Sequence, residues 1–178
     1  MQFIDLAHRN RPSASAPQTP RDGLYRPNAG AVLHRGDGLI LIGERVECEG
    51  VWQFPQGGVE DGESREQAMW RELSEELGLR RPRALCDLVA VGPETRYDFP
   101  ADADWSLARR FRGQQQTLFL VDYYGGDDHI DLTAHERPEF REYRWVSPTE
   151  ALALVPRTKR EILWKSLYQW LDVLGRAA

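Results

Sequence analysis

Residues 57–79 read GGVEDGESREQAMWRELSEELGL, and the rest of the chain is organised around this stretch. Its first part is typical of a loop because it holds three glycines, Gly57, Gly58 and Gly62. Ser64 is a suitable N-cap residue, and Gly78 stands where a left-handed C-terminal cap is common. The stretch therefore predicts a loop that leads into a helix covering about Arg65 to Leu77.

The predicted helix has an apolar face and an acidic face. At about 100° of rotation per residue, one arc holds Met69, Trp70, Leu73 and Leu77, and the neighbouring arc holds Glu72, Glu75 and Glu76. Like charges at this spacing cost about 0.2–0.5 kcal/mol per pair, and the helix dipole disfavours anions in the last turn. A bound hard cation, Mg²⁺ or Mn²⁺, would offset the repulsion. The alternative is a solvated acidic face with Arg65 and Arg71 as partners.

The same stretch resembles the Nudix box at every fixed position: Gly57, Glu63, Arg71-Glu72-Leu73, Glu75-Glu76 and Gly78-Leu79. This resemblance implies an α/β fold, an α/β/α sandwich with a mixed β-sheet between the box helix and a C-terminal helix. It also implies metal-dependent hydrolysis of a phosphoanhydride bond in a nucleotide. Glu72, Glu75 and Glu76 are then expected to hold the metal ions, whose number stays open. Glu63 and Arg71 are expected to pair and brace the loop against the helix.

Composition predicts one domain. The chain has 178 residues with 41% hydrophobic residues and a net charge of −5, enough for a single core and no global reason to expect a polyanion partner. Residues 1–22 are rich in Pro, Ser and Arg and predict a flexible tail, so the domain is expected at 23–178. Two cysteines are too few for a disulfide framework. With no long apolar run, we expect a cytoplasmic protein without membrane contact; the oligomeric state stays open.

Hydrophobic patterning predicts the remaining elements. A hairpin is expected from Ala29–His34 through a turn into Leu39–Ile42. Later strands are expected at Leu85–Val91, Thr95–Phe99, Thr117–Tyr123 and Glu142–Val146, with a loop or short helix at Pro100–Gly113. Ser147 and Glu150 form a capping-box pattern for a helix through Leu154. The closing helix is expected from about Thr158 to Leu174, with an apolar face of Leu163, Leu167, Trp170, Leu171 and Leu174, and Trp164 is expected in the core.

The flanks of the box resemble one branch of the family, the bacterial RNA pyrophosphohydrolases and the similar dinucleoside polyphosphate hydrolases. The resemblance spans about Gly23 to Trp170 and rests on the segments Tyr25–Asn28, Trp52–Gly58, Tyr97–Pro100, Phe111–Gln116 and Pro138–Phe140. It implies that Glu139 is a fourth acidic residue, a metal ligand or the general base, with Glu136 as the competing assignment. It also implies substrate contacts, listed here by type: Arg26, Arg45 and Lys159 to phosphates; Gln53, Tyr97, Gln114 and Gln116 along the cleft.

These residues are compatible with several functions. The leading hypothesis is hydrolysis at RNA 5′-triphosphate or 5′-diphosphate ends. Members of the branch commonly carry Lys-Trp where this chain has Thr117-Leu118, a departure that favours the runner-up, cleavage of dinucleoside polyphosphates such as diadenosine tetraphosphate. Cleavage of another small nucleoside diphosphate derivative is third, and a non-catalytic nucleotide- or RNA-binding module is last. The four histidines lack metal-ligand spacing, so none receives a role.

Overall fold

The computed structural model describes residues 24–79, 85–101, 103 and 106–174, apart from the side chain of Val173. The predicted tail at residues 1–22 lies outside these ranges. The strands are β1 (Tyr25–Arg35), β2 (Ile40–Arg45), β3 (Trp52–Gln53), β4 (Gln56–Gly58), β5 (Cys86–Val91), β6 (Thr95–Asp98), β7 (Gly113–Tyr123) and β8 (Phe140–Val146). The helices are α1 (Arg65–Leu77), α2 (Ser106–Arg110), α3 (Pro148–Leu154), α4 (Arg157–Gln169) and α5 (Leu171–Leu174).

A mixed sheet forms the middle layer. Its central order is β3-β2-β1-β7-β5, with β4 also paired to β1, β6 to β7 and β8 to β2. The pair β1 and β7 is parallel over its whole length, from Tyr25 opposite Gly113 to Arg35 opposite Tyr123, and the other pairs are antiparallel. The expected mixed sheet is therefore confirmed.

Two apolar clusters lie on opposite faces of this sheet. Side chains alternate along a strand, so in β1 Ala31 and Leu33 join the cluster around α1, while Val32 joins the cluster around α3 and α4. No helix in the described part of the chain is long and apolar enough to cross a membrane. The predicted three-layer α/β/α arrangement is confirmed.

Helix α1 begins and ends at the predicted residues. The Ser64 hydroxyl accepts a hydrogen bond from the Gln67 N–H at 3.1 Å, and the Gln67 side chain accepts one from the Ser64 N–H at 2.8 Å. Gly78 has a φ of 69° and ends the helix. These contacts satisfy N–H groups that the first turn leaves without partners, and they fix where the acidic residues of α1 stand.

The glycines before α1 correct one expectation. Gly57 and Gly58 do not lie in a loop but in β4, opposite Ala29 and Asn28 of β1. Of the three, only Gly62, with a φ of 81°, needs the left-handed backbone that favours glycine. The other two therefore have a different reason to be glycine, which the site explains below.

Strands β7 and β8 extend further than the sequence predicted. β7 begins at Gly113 and β8 at Phe140. The glutamines at the start of β7 are polar and do not read as a strand, but the long parallel ladder with β1 holds them there. The extension of β7 buries the side chains of Gln114 and Gln116, whereas Gln115 contacts Glu94 and Arg96 in the exposed part of the sheet. The extension of β8 makes this strand begin directly after Glu139.

The closing helix is broken. Helix α4 ends at Gln169, and Trp170 separates it from α5. Trp170 is 1% exposed as expected, but Trp164 and Leu171 are 59% and 58% exposed, so their predicted places in the core were wrong. Trp164 follows the buried Leu163 by one residue and is turned by about 100° toward solvent. The break at Trp170 changes the phase of α5, which turns Leu171 outward.

Candidate active site

Helix α1 carries its glutamates along the edge that faces β4. Glu72 and Glu76 are 7% and 3% exposed, and Glu75 is half-buried. The Gln56 N–H donates to Oε2 of Glu76 at 3.0 Å, while Oε1 of Glu76 is buried and has no hydrogen-bond partner within the described residues. Burial raises the pKa of Glu76 well above its usual range, and the charges of Glu139 and Glu72 raise it further. A positive ligand at this carboxylate would relieve both effects.

The glycines of β4 make room for two charged groups. A Cβ atom at Gly57 would lie 1.8 Å from Oε1 of Glu72, and a Cβ atom at Gly58 would lie 2.0 Å from Nη2 of Arg26. Any side chain at these positions would displace the carboxylate or the guanidinium group. The two glycines therefore let a residue of α1 and a residue of β1 come close to the backbone of β4.

The pair expected of Glu63 and Arg71 is present. Nε of Arg71 lies 3.0 Å from one Glu63 oxygen and Nη2 lies 3.1 Å from the other, a two-pronged contact. Nη2 of Arg71 also donates to the Gly58 carbonyl at 2.8 Å. The Arg71 guanidinium lowers the pKa of Glu63, so the carboxylate stays charged. One arginine thus ties the turn before α1 and strand β4 to the helix.

Glu139 comes from a different part of the chain. It directly precedes Phe140, which is 1% exposed and anchors β8, and its carbonyl accepts a hydrogen bond from the Val46 N–H at 2.9 Å. These two contacts hold the exposed Glu139 side chain beside the glutamates of α1. Glu136, the competing assignment, borders neither of the two cavities described next.

Two cavities meet at the glutamates. The larger has a volume of about 280 Å³ and the smaller about 180 Å³. Glu72, Glu75 and Glu139 border both and so form a common wall. The larger cavity is further lined by Arg26, Asn28, Arg45, Gln53, Gln56, Gly57, Gly58, Leu107 and Gln114; the smaller is further lined by Glu76, His135 and Arg137.

The four carboxylates around the smaller cavity are the group that suits a hard divalent cation. Mg²⁺ and Mn²⁺ prefer oxygen ligands, and Oε1 of Glu76, which has no hydrogen-bond partner among the described residues, is available as one. In the described part of the chain, no three acidic, His or Cys side chains converge tightly enough to form a preassembled metal centre. Nη1 of Arg71 instead contacts Glu72 at 2.7 Å and Glu75 at 3.3 Å. An arriving ion would have to take these carboxylate oxygens from Arg71.

Three cations lie near the larger cavity. The Arg26 guanidinium makes no ion pair with any residue that the structure describes. Arg45 contacts Glu47 at 3.1 Å through Nη2, but its Nε is buried without a partner among the described residues. Lys159 lies 5.7 Å from the centre of the Tyr97 ring, and burial, followed by repulsion from Arg45, lowers its pKa to about 7. An anion between these groups would satisfy them all.

Hydrogen-bonded amide side chains lie beside the larger cavity. Nε2 of Gln116 donates to Asn28 at 2.6 Å and to Gln56, and the Tyr97 hydroxyl donates to Gln114. Burial raises the pKa of Tyr97, so its hydroxyl keeps its proton. Gln53 and Gln114 line the larger cavity, as expected of substrate contacts. Tyr97, Gln116 and Lys159 do not border either cavity. Tyr97 and Gln116 hydrogen-bond to Gln114 and Asn28, which do line the larger one.

The Thr117-Leu118 departure lies in the core. Thr117 and Leu118 are 5% and 2% exposed, and Leu118 belongs to the cluster under α4, close to Gly30. Neither residue borders either of the two cavities described above. The substrate preference that this departure favours in the sequence analysis therefore stays a prediction.

The sequence analysis gave no site role to seven lining residues: Asn28, Gln56, Gly57, Gly58, Leu107, His135 and Arg137. Asn28 stands inside the quoted Tyr25–Asn28 segment and could have been found there. Leu107 comes from the segment that was expected to be a loop or a short helix. His135 and Arg137 had no signal, because they reach the glutamates only through the path of the loop before β8.

Comparison with known proteins gives the family. The family model described as the NUDIX domain matches residues 24–170. A protein of Erythrobacter litoralis named RNA pyrophosphohydrolase is 40% identical over 153 residues, which cover 84% of this chain and 92% of that protein. One of Teredinibacter turnerae with the same name is 40% identical over 143 residues, covering 80% of this chain and 83% of that protein.

Solved structures agree on the fold. The C. elegans Ap4A hydrolase binary complex aligns with a TM-score of 0.62 at 18% identity, over 83% of this chain and 98% of that one. The E. coli dihydroneopterin triphosphate pyrophosphohydrolase aligns with a TM-score of 0.64 at 20% identity, over 83% of this chain and 99% of that one. Together with the matched domain and the capped box helix, these comparisons establish that the chain belongs to the NUDIX domain family and is a Nudix hydrolase.

Proposed function

We infer that this Nudix hydrolase cleaves a phosphoanhydride bond at the 5′-triphosphate or 5′-diphosphate end of RNA. The observation that carries the proposal is the pattern of charge around the larger cavity, where the carboxylates of Glu72, Glu75 and Glu139 share the lining with the cations of Arg26 and Arg45. This pattern complements a polyphosphate with bound divalent cations. The relatives named RNA pyrophosphohydrolase match over most of their length and favour RNA as substrate. Such an enzyme would work in the cytoplasm.

Glu72, Glu75 and Glu76 would hold the metal, Mg²⁺ or Mn²⁺, with Glu139 beside them. The fit rests on their common cavity and on the buried Glu76 oxygen that has no partner within the described residues. When bound, the metal would neutralise phosphate charge and lower the pKa of water. Arg71, braced by Glu63, keeps α1 and β4 in fixed relation, so both residues act as positioning residues.

Glu139 is the general base in this proposal. Glu139 lies in the loop before β8, outside α1, so its carboxylate can take a proton from a water molecule on the side away from the helix that would hold the metal. The water oxygen forms a new bond to phosphorus while the bridging P–O bond breaks, and the leaving phosphate keeps the bridging oxygen. Glu136 is not given this role because it borders neither cavity.

Arg26, Arg45 and Lys159 would bind the substrate phosphates. The guanidinium groups can each offer two N–H donors to a phosphate, and Lys159 offers a point charge. A phosphate beside Lys159 would raise its pKa back from about 7 and keep it charged. Gln53 and Gln114 would offer amide groups to the nucleotide, while Tyr97 and Gln116 would hold the amides in place.

The test compares substrates side by side. We would measure kcat/KM with Mg²⁺ and with Mn²⁺ for one RNA oligomer bearing a 5′-triphosphate, for diadenosine tetraphosphate and for free nucleoside triphosphates. The same RNA with a 5′-monophosphate has no anhydride and is the matched control. RNA should give the highest kcat/KM. A higher value for diadenosine tetraphosphate would replace RNA by a dinucleoside polyphosphate as the substrate, and binding of RNA without any turnover would contradict the catalytic assignment.

A further inference from the structure

The smaller cavity contains a cation that the proposed mechanism does not use. Arg137 borders this cavity together with Glu72, Glu75, Glu76, Glu139 and His135. Its side chain is exposed, and its guanidinium group makes no hydrogen bond or ion pair within the described parts of the chain. Five N–H donors thus border a carboxylate-lined cavity and have no protein partner among the described residues.

The loop that carries Arg137 is held at both ends. The Asp131 N–H donates to the Leu77 carbonyl at 2.9 Å, which ties the start of the loop to the last turn of α1. At the other end Phe140 is buried and begins β8. Between them the Arg137 N–H donates to Nδ1 of His135 at 3.3 Å. The position of Arg137 beside the glutamates is therefore built into the fold.

A simple counter-ion role explains this arrangement poorly. An arginine that served only to neutralise the four carboxylates would pair with one of them, as Arg71 does with Glu72 at 2.7 Å, whereas no ion pair joins Arg137 to them. A cation facing carboxylates that are to receive Mg²⁺ or Mn²⁺ also opposes the metal. Both problems disappear when an anion lies between Arg137 and the metal, because a phosphate group can bind both.

We propose that Arg137 binds the terminal phosphate groups of the substrate in the smaller cavity, on the far side of the glutamate wall from Arg26 and Arg45. The substrate chain would then have guanidinium groups at both ends of its phosphates, with the carboxylates between them. After hydrolysis the same group would hold the released phosphate or pyrophosphate. This inference rests on the proposed function for its substrate, but the pocket itself can be tested without RNA.

The experiment measures binding of inorganic pyrophosphate to the Mg²⁺-loaded protein by calorimetry, beside the KM for 5′-triphosphate RNA. Arg137→Gln should weaken pyrophosphate binding by about 10- to 100-fold, the usual loss of charge-assisted hydrogen bonds, and should raise KM more than it lowers kcat. Arg137→Lys should restore part of the affinity for pyrophosphate, because lysine keeps the positive charge but cannot donate two parallel hydrogen bonds to a phosphate. Lys165→Gln, which removes a charge from the exposed side of α4, should change nothing.

Two results would overturn the proposal. One is pyrophosphate binding that stays unchanged in Arg137→Gln while Mn²⁺ binding, followed by the electron spin resonance signal of free Mn²⁺, becomes tighter; Arg137 would then be a counter-ion. The other is an equal loss in Arg137→Lys and Arg137→Gln with a lowered melting temperature, which indicates a structural role. A protein that binds pyrophosphate through Arg137 but does not cleave RNA would contradict the proposed substrate and leave the pocket intact.

Discussion

Replacing Gly57 by alanine should disable the site without unfolding the protein. The new Cβ atom would lie 1.8 Å from Oε1 of Glu72, where ordinary contacts begin at 3.4 Å, so the carboxylate must move by the difference, about 1.6 Å. Metal ligands tolerate about 0.2 Å, and a misplacement of about 1 Å costs about 100-fold in rate. We therefore expect kcat/KM for 5′-triphosphate RNA to fall at least about 100-fold, with weaker Mn²⁺ binding.

The matched control is Gly36→Ala. Gly36 lies in the turn after β1, has an ordinary φ and has nothing within 4 Å of its Cβ position, so the same substitution should leave both activity and the melting temperature unchanged. A shorter carboxylate, Glu72→Asp, relieves the clash. Adding Gly57→Ala to Glu72→Asp should therefore cost much less than it costs in the wild type, and the two effects should not add. Activity of Gly57→Ala within threefold of wild type would refute the role given to the Glu72 position.

Three further outcomes follow from the same geometry. Glu76→Gln should lose turnover yet raise the melting temperature of the metal-free protein, because an amide relieves the buried charge whose pKa is raised; activity at the wild-type level would exclude Glu76 as a ligand. Glu63→Gln should cost about 1.5–3 kcal/mol in urea unfolding, since it weakens the Arg71 contacts. Burial raises the pKa of the Cys86 thiol from 9.0 to about 11, so the unfolded chain releases this proton first. The protonated Cys86 thiol therefore makes its full contribution to the free energy of unfolding below pH 9.0, and this contribution falls by about 1.4 kcal/mol per pH unit as the pH rises to about 11. Cys86→Ala should reduce this pH dependence in urea unfolding at alkaline pH. An unchanged pH dependence would assign it to other groups.

The sequence predicts the box helix well because its determinants are local. Ser64 and Gly78 stop the helix through contacts with residues only a few positions away, and the apolar spacing of Leu73 and Leu77 fixes which side is buried. The same reasoning finds α3, where Ser147 caps the N–H of Glu150 at 3.2 Å. Features of this kind need no knowledge of the rest of the chain.

Features that depend on distant parts of the chain could not be predicted in this way. Gly57 needs to be glycine because Glu72 of α1 arrives next to it, and that contact exists only after β4 pairs with β1. The start of β7 is a strand because β1 lies beside it. Trp164 has the spacing of a core residue, yet the packed arc of α4 is one residue away from it. In each case tertiary contact overrides the local pattern.

The resemblance to a family located residues that local rules alone could not group. Glu139 is 63 residues from Glu76 in the chain, and only the family pattern relates the two. The structure brings both to one cavity. Residues outside the family pattern, such as Arg137, are found only from the structure, which shows which side chains border the cavity.

The carboxylates and the cations of the site are neutralised together only when a metal ion and a polyphosphate are both bound. Glu76 lies buried near two other carboxylates and has a raised pKa, whereas burial, followed by repulsion from Arg45, lowers the pKa of Lys159 to about 7. A metal ion alone would offset the repulsion among the carboxylates but would be repelled by Arg45 and Lys159. A phosphate alone would offset the repulsion between these cations but would be repelled by the carboxylates. Metal and polyphosphate should therefore bind with positive coupling, each raising the affinity for the other by the same factor. Titration of pyrophosphate at increasing Mn²⁺ measures that factor, and a value of one would mean that the two sets of charges act independently.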